Sequence, residues 1–195
     1  MSEEKKRRYR CCFTGHRPEK LNSNEAAIKV MLSHAIDQAI QDGFVTFISG
    51  MARGVDIWAA ELLLERRAVT PSLHLICALP YSGFERRWNP QWQTRYQTIL
   101  RQTDLIKVIF PSYSLAAFLQ RNEWMVDHSS RLIAIYNGSP GGTRNTIEYA
   151  KRKKLEIAIF DLNSETACAA IEDSESPCKS LFFSADVFKN TVTKP

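Results

Sequence analysis

The stretch that most restricts what this chain can become is Ile48-Ser49-Gly50-Met51-Ala52-Arg53-Gly54-Val55-Asp56-Ile57-Trp58-Ala59-Ala60-Glu61. It passes from an apolar run into a helical pattern through two glycines, an arginine and an aspartate. The preceding Phe44-Val45-Thr46-Phe47-Ile48 is β-branched and aromatic, with the length of a buried parallel strand. Beyond Gly54, the residues Val55, Trp58, Ala59, Leu62 and Leu63 recur at helical spacing. A strand that turns into a helix over glycines presents unpaired N–H groups and the positive end of the helix dipole, and both attract an anion. Arg53 adds a planar, two-pronged phosphate donor. Asp56, in the first helical turn, is either a helix cap or an acceptor for a ribose hydroxyl.

The same alternation of strand and helix runs along most of the chain. Strands are predicted over 10–14, 44–48, 73–79, 105–110, 132–136 and 155–160, and helices over 24–41, 55–67, 91–101, 115–128 and 143–152. Ser23 or Asn24 caps the first of these helices and Gly43 ends it. The expected fold is α/β, a Rossmann-like, doubly wound, mostly parallel sheet with helices on both faces, whose ligands bind outside the carboxyl ends of the strands. Residues 1–9 read as a basic N-terminal extension and 10–162 as one nucleotide-binding domain. Residues 163–195 lose periodicity and read as a loosely packed tail, docked through Phe182-Phe183 and Val187-Phe188.

Composition narrows the function classes. With 44% hydrophobic and 24% charged residues the chain is ordinary for a soluble globular protein, and no apolar run approaches the roughly 20 residues that span a bilayer. The charged first ten residues carry no apolar leader pattern, so the protein is expected in the cytoplasm, without a membrane partner. Five cysteines form no CxxC pair, and His34, His74 and His128 fall on separate elements, so no disulfide framework, metal site or cofactor is expected. Adjacent Cys11 and Cys12 should point to opposite faces of a strand. The net charge of +5 gathers at 5–10 and 151–154, a solvated terminus and a basic last helical turn more than a nucleic-acid patch.

Two further loops end on the same sheet edge. Thr14-Gly15-His16-Arg17-Pro18 follows the first strand, and its His16 and Arg17 are either ligand contacts or turn residues. Gly141-Gly142-Thr143-Arg144-Asn145-Thr146 follows the fifth, where backbone N–H groups and two threonine hydroxyls can hold phosphate. Arg86 and Arg87 could close over a ligand. Trp88, Trp92 and Tyr96, four apart on the helix after the third strand, read as core before base-stacking platform.

Together these loops resemble the SLOG superfamily, the Rossmann-like fold shared by LOG-type phosphoribohydrolases and DprA proteins, with the YpsA-like proteins as nearest kin. Ser49-Gly50-Met51-Ala52-Arg53-Gly54-Val55-Asp56 is similar to the DprA motif Ser-Gly-x-Ala-Arg-Gly-x-Asp. Arg121-Asn122-Glu123-Trp124-Met125, with Pro140-Gly141-Gly142 and Glu148 beyond it, resembles the Arg-Lys-x-x-Met helix and glycine loop of the LOG enzymes. It differs by Asn122 for lysine, and from Gly142 to Glu148 it has neither the second glycine nor the same spacing. The resemblance implies a protein that binds or senses a nucleotide or an ADP-ribose-like ligand. It offers two alternatives, N-glycosidic hydrolysis of a nucleoside monophosphate by Arg121 and Glu148, and DprA-like binding of single-stranded DNA. It also implies a homodimer, because such relatives often pair through helices.

Overall fold

The computed structural model describes residues 2–21 and 24–162. The expected tail, its phenylalanines, Ser23, Cys168 and Cys178 lie outside the described residues. Six strands form one sheet: β1 (Arg10–Gly15), β2 (Thr46–Ser49), β3 (His74–Tyr81), β4 (Leu105–Phe110), β5 (Arg131–Tyr136) and β6 (Glu156–Asp161). Their order is β4-β3-β2-β1-β5-β6, and every pairing is parallel. The helices α2 (Glu25–Gln41), α3 (Val55–Val69), α4 (Pro90–Leu100), α5 (Leu115–Asp127) and α6 (Gly142–Arg152) connect them.

The crossovers decide which face each helix covers. From β1 to β4 the chain steps steadily toward one edge, and right-handed connections then place α2, α3 and α4 on a single face. After β4 it crosses back to the far side of β1, so α5 and α6 take the other face. Two apolar layers result. Cys11, Phe13, Phe47, Leu75 and Ile133 pack against Ile28, Leu32, Ile57, Leu63 and Tyr96 of the first face. Cys12, Ile48, Ile76, Leu132 and Ala134 pack against Met125, Val126, Ile147 and Ala150 of the second. The neighbouring cysteines do part to opposite faces, and burial pushes the Cys12 thiol up to about 12.

Local signals act as their chemistry requires. The Asn24 side chain accepts from the Ala27 N–H and caps α2, and Asn89 caps α4 in the same way at Trp92. Gly43 adopts φ +92 just beyond α2, a conformation that costs a glycine nothing. Two readings need correction. The N-terminal segment is not simply solvated, because Glu3–Arg7 forms a short helix, α1, and the Arg7 side chain donates to the Ser129 carbonyl at 2.9 Å. Trp88 does not lie on the helix, which begins at Pro90. It packs edge-on to Phe84 and Tyr96, with ring centroids 5.1 and 5.6 Å away. The aromatic group is core, as expected, with Tyr96 1% exposed.

The Phe13 and Phe47 rings stack 5.9 Å apart at full burial in the centre of the first layer. Phe47→Ala should therefore lower stability by about 3–5 kcal/mol, read from urea denaturation with an unchanged slope.

Candidate functional site

In an open parallel sheet the cleft forms where consecutive connections leave in opposite directions. Here that point lies between β1 and β5, which pair from Cys11 with Arg131 to Gly15 with Ile135. The loop after β1 and the loop after β5 therefore face each other across it. Several contacts tie them together. His16 is 4% exposed, its ring stacks on Tyr136 at 5.5 Å, and its Nε2 lies 3.5 Å from the Ser139 hydroxyl. Ser139 donates its own proton to Asn137 at 2.7 Å, so it meets His16 as an acceptor, which selects the tautomer protonated on Nε2. Asn137 in turn donates to the Lys20 carbonyl at 2.5 Å. Burial, aided by the Lys20 charge, holds the His16 ring below its ordinary value of 6.5, in the neutral form.

The two glycine motifs have different surroundings. At the β2 loop each glycine is demanded by packing. A Cβ on Gly50 would fall inside the Arg121 guanidinium, and one on Gly54 would lie 2.9 Å from Pro18 Cδ and 3.0 Å from the His16 carbonyl oxygen. Gly54 stands at φ +91 and buried Met51 at φ +60, so the loop is tightly specified. Arg53 pairs with Glu19 at 2.8 Å. The loop after β5 is open. Nothing lies within 4 Å of a Cβ on Gly141, and only Asn122 Nδ2, at 3.9 Å, approaches one on Gly142. Gly142 opens α6, whose first turn contains the buried Thr143 and Thr146, and Thr146 bonds back to the Gly142 carbonyl at 2.8 Å. Asn145 is exposed beside them.

Asp56 is neither a solvent-facing cap nor an open ribose acceptor, for it is 7% exposed. It accepts from the Ala52 N–H at 3.2 Å and lies 3.6 Å from Arg121, which also donates to the Gly50 carbonyl. Burial raises the Asp56 carboxyl, and Arg121 opposes that rise. Arg121 is thus a buried residue, 5% exposed, and its Nε finds no hydrogen-bond partner. Glu148 lies elsewhere. Half exposed and paired with Lys151 at 3.0 Å, it lines a groove of about 210 Å³ between α5 and α6 with Asn122, Glu123, Asn145, Thr146 and Arg152. Asn122, next to Arg121, faces this groove from α5 together with Leu119 and Glu123.

Sequence reasoning passed over Tyr136, Ser139 and Asn137. Their signal was available, since Tyr136 ends β5 and Asn137 and Ser139 follow it on the edge already singled out. Asn122 was read only as a departure from a pattern, yet it is the α5 residue beside the open glycine. Among the described residues no cluster of three histidine, cysteine or carboxylate groups could hold a metal ion. Nor is any helix among them long and apolar enough to cross a membrane.

The profile of the YspA SLOG family, YpsA, matches residues 11–167. A UPF0398 protein of Bacillus pumilus is 30% identical over 165 residues, which cover 78% of this chain and 89% of that protein. The uncharacterized prophage-derived protein YoqJ of Bacillus subtilis is 28% identical over 160 residues, 74% of this chain and 92% of its own. Among solved structures, DNA processing protein A of Helicobacter pylori superposes with a TM-score of 0.57 at 17% identity, over 90% of this chain and 76% of that one. Its Streptococcus pneumoniae counterpart gives 0.54 at 13%, over 86% of this chain and 57% of that one. At these identities the two structures share the fold.

The contrast between the glycines is measurable. Gly50→Ala should destabilise the protein by about 3 kcal/mol through overpacking, whereas Gly142→Ala should stay within about 0.5 kcal/mol of the parent in chemical denaturation. The depressed His16 ring sets a pH dependence. The unfolded chain takes up the proton first, so the neutral ring's contribution is complete above pH 6.5 and declines as pH falls toward the lower folded value. Urea midpoints across that range should show this loss in the parent and a smaller one in His16→Gln.

Proposed function

The chain belongs to the YspA SLOG family, and on that footing we propose that it binds a nucleotide derivative, a nucleotide or an ADP-ribose-like molecule, at the β1/β5 switch point, within a unit of residues 10–162. The observation that carries this reading is the open backbone at Gly141 and Gly142, at the start of α6, on the loop whose Ser139 meets the buried His16. A phosphate there accepts from the first N–H groups of α6 and from the Thr143 hydroxyl. Arg17, exposed on the facing loop, neutralises its charge. The sugar follows the groove past Asn122 and Asn145 toward Glu148. Gly15, Gly50, Arg53, Gly54 and Asp56 act in this account from behind, by holding the loops at their spacing.

A second reading, hydrolysis of an N-glycosidic bond, is favoured by one feature. The Glu148 carboxylate lines the groove where the sugar would rest, as cleavage at an anomeric carbon requires. Arg121, bound to the Gly50 carbonyl, supports that chemistry only by positioning. Single-stranded DNA binding, a property of the H. pylori protein, is the third.

The test is a thermal-shift screen of the chain against nucleoside monophosphates, ADP-ribose, NAD and cyclic nucleotides, with mass spectrometry for released base. At least one ligand should raise the midpoint and remain intact. Gly142→Asp should keep the fold, because a carboxylate suits a helix start, and weaken binding at least tenfold by repelling phosphate. Arg17→Ala should weaken it about tenfold. Release of base that Glu148→Gln abolishes would replace binding by hydrolysis. Binding indifferent to both Gly142→Asp and Arg17→Ala would refute the site, and steeply salt-dependent binding of single-stranded DNA alone would point to the third reading.

A further inference from the structure

Arg121 is held by one corner of its guanidinium. Its Nη1 donates to the Gly50 carbonyl and faces Asp56 at 3.6 Å. Nε is sealed from solvent with no hydrogen-bond partner, and Nη2 is neither bonded among the described residues nor sealed. The unengaged Nε/Nη2 edge carries two parallel N–H donors, the fork that grips two oxygens of one phosphate. A buried charged donor without an acceptor bears its full desolvation penalty, and a fold retains one where it serves a ligand or holds strain. The charge around Arg121 is also uneven. Segments 16–20 and 50–56, taken with Arg121, hold the cations Arg17, Lys20, Arg53 and Arg121 against the carboxylates Glu19 and Asp56. Glu19 pairs with Arg53 and Asp56 with Arg121, which leaves Arg17 and Lys20 without an ion pair among the described residues. Burial lowers the affinity of Arg121 for its proton, Asp56 opposes that, and the Arg17 charge adds to it, so the two guanidiniums repel one another.

We propose that Arg121 and Arg17 clasp a second phosphate next to the one at α6, so that the cleft takes a nucleoside diphosphate, free or esterified as in ADP-ribose, in preference to a monophosphate. The second phosphate presupposes the first, at Gly142, and so rests on the switch-point reading above. The two positions come from adjacent residues of α5. Asn122 approaches Gly142, its Nδ2 3.9 Å from where a Cβ there would stand, and Arg121 turns from the same helix to Gly50. The α-phosphate sits at α6 with its sugar in the groove, and the β-phosphate lies against the Nε/Nη2 edge with Arg17 over it. Any group esterified to the β-phosphate leaves past Arg17, which is exposed. Contacts at Nη1 fix the guanidinium plane in advance, so the fork needs no reorganisation to bind. A diphosphate also brings the negative charge that Arg17 and Lys20 lack, and it relieves the repulsion between Arg17 and Arg121. A monophosphate held at α6 leaves the Arg121 edge without an acceptor.

The test is titration calorimetry of the full chain, without divalent cations, against the mono- and diphosphates of adenosine, guanosine, cytidine and uridine, and against ADP-ribose. For the nucleoside that binds, the diphosphate should bind at least about tenfold more tightly than the monophosphate. Arg121→Lys keeps a cation for Gly50 and Asp56 but removes the fork. It should bring that ratio to within about twofold of one while monophosphate affinity stays nearly unchanged. A far-UV spectrum and a urea midpoint check the fold of that variant. Should it not fold, Arg17→Gln, on an exposed loop, carries the same comparison and should weaken the diphosphate at least about threefold more than the monophosphate. A monophosphate bound as tightly as its diphosphate, or a diphosphate preference that survives both substitutions, would overturn the second phosphate position and leave the cleft a nucleotide site. If none of these ligands binds, the switch-point reading falls and the second phosphate with it.

Discussion

The contact between Arg121 and the β2 loop joins parts of the molecule that the sheet otherwise separates. Arg121 comes from α5 on one face, while Asp56 begins α3 on the other, and the two meet over the carboxyl end of β2 at 3.6 Å with both side chains buried. Opposite charges taken this far out of water are costly unless each keeps its partner, and removing one from such a pair typically costs about 3–5 kcal/mol. The pair acts on the backbone as well. Arg121 donates to the Gly50 carbonyl and Asp56 accepts from Ala52, so the loop between them is held from both ends. The β1 loop then leans on Gly54 through Pro18 and the His16 carbonyl. The position of His16 at the cleft thus depends on a charge pair beneath another loop.

The three helices of the first face are joined by a second set of charges. Arg95 of α4 donates to both Glu25 of α2 and Glu61 of α3, and Lys29 reaches the same two carboxylates. This network lies part-buried across three elements, so it fixes their mutual orientation more than an exposed pair would. The second face has no counterpart of this size among the described residues. Its helices α5 and α6 meet along the groove that holds Asn122 and Glu148.

The architecture was legible because its signals are periodic. Apolar runs marked all six strands, helical spacing marked five helices, and Asn24 and Gly43 marked two ends within a residue or so. Strand order was not legible, since no local pattern states that β5 returns beside β1. The site was legible as a set of loops and obscure as a set of roles. Gly50 and Gly54 sit in a strand-to-helix turn, as phosphate-loop glycines do, and only the nearness of Arg121 and Pro18, remote in sequence, shows that packing requires them. Arg121 reads as a surface position from its neighbours, because the carbonyl it meets lies on another element. Asn122, Tyr136 and Ser139 are unremarkable residues that become important through what lies across the cleft.

The return from β4 to β5 also sets when the cleft can exist. The four strands β1 to β4 follow one another in space as in sequence, each built with its helix from contacts close along the chain, and such contacts form quickly. The cleft belongs to the later half. Its second wall, Tyr136 with the Gly141–Gly142 turn, arrives only when the chain has doubled back past three strands to reach β1. On the ribosome a four-stranded half-domain therefore emerges first, with one side of β1 unpaired and its α5 face uncovered, and the cleft gains its second wall only after β5 has been made.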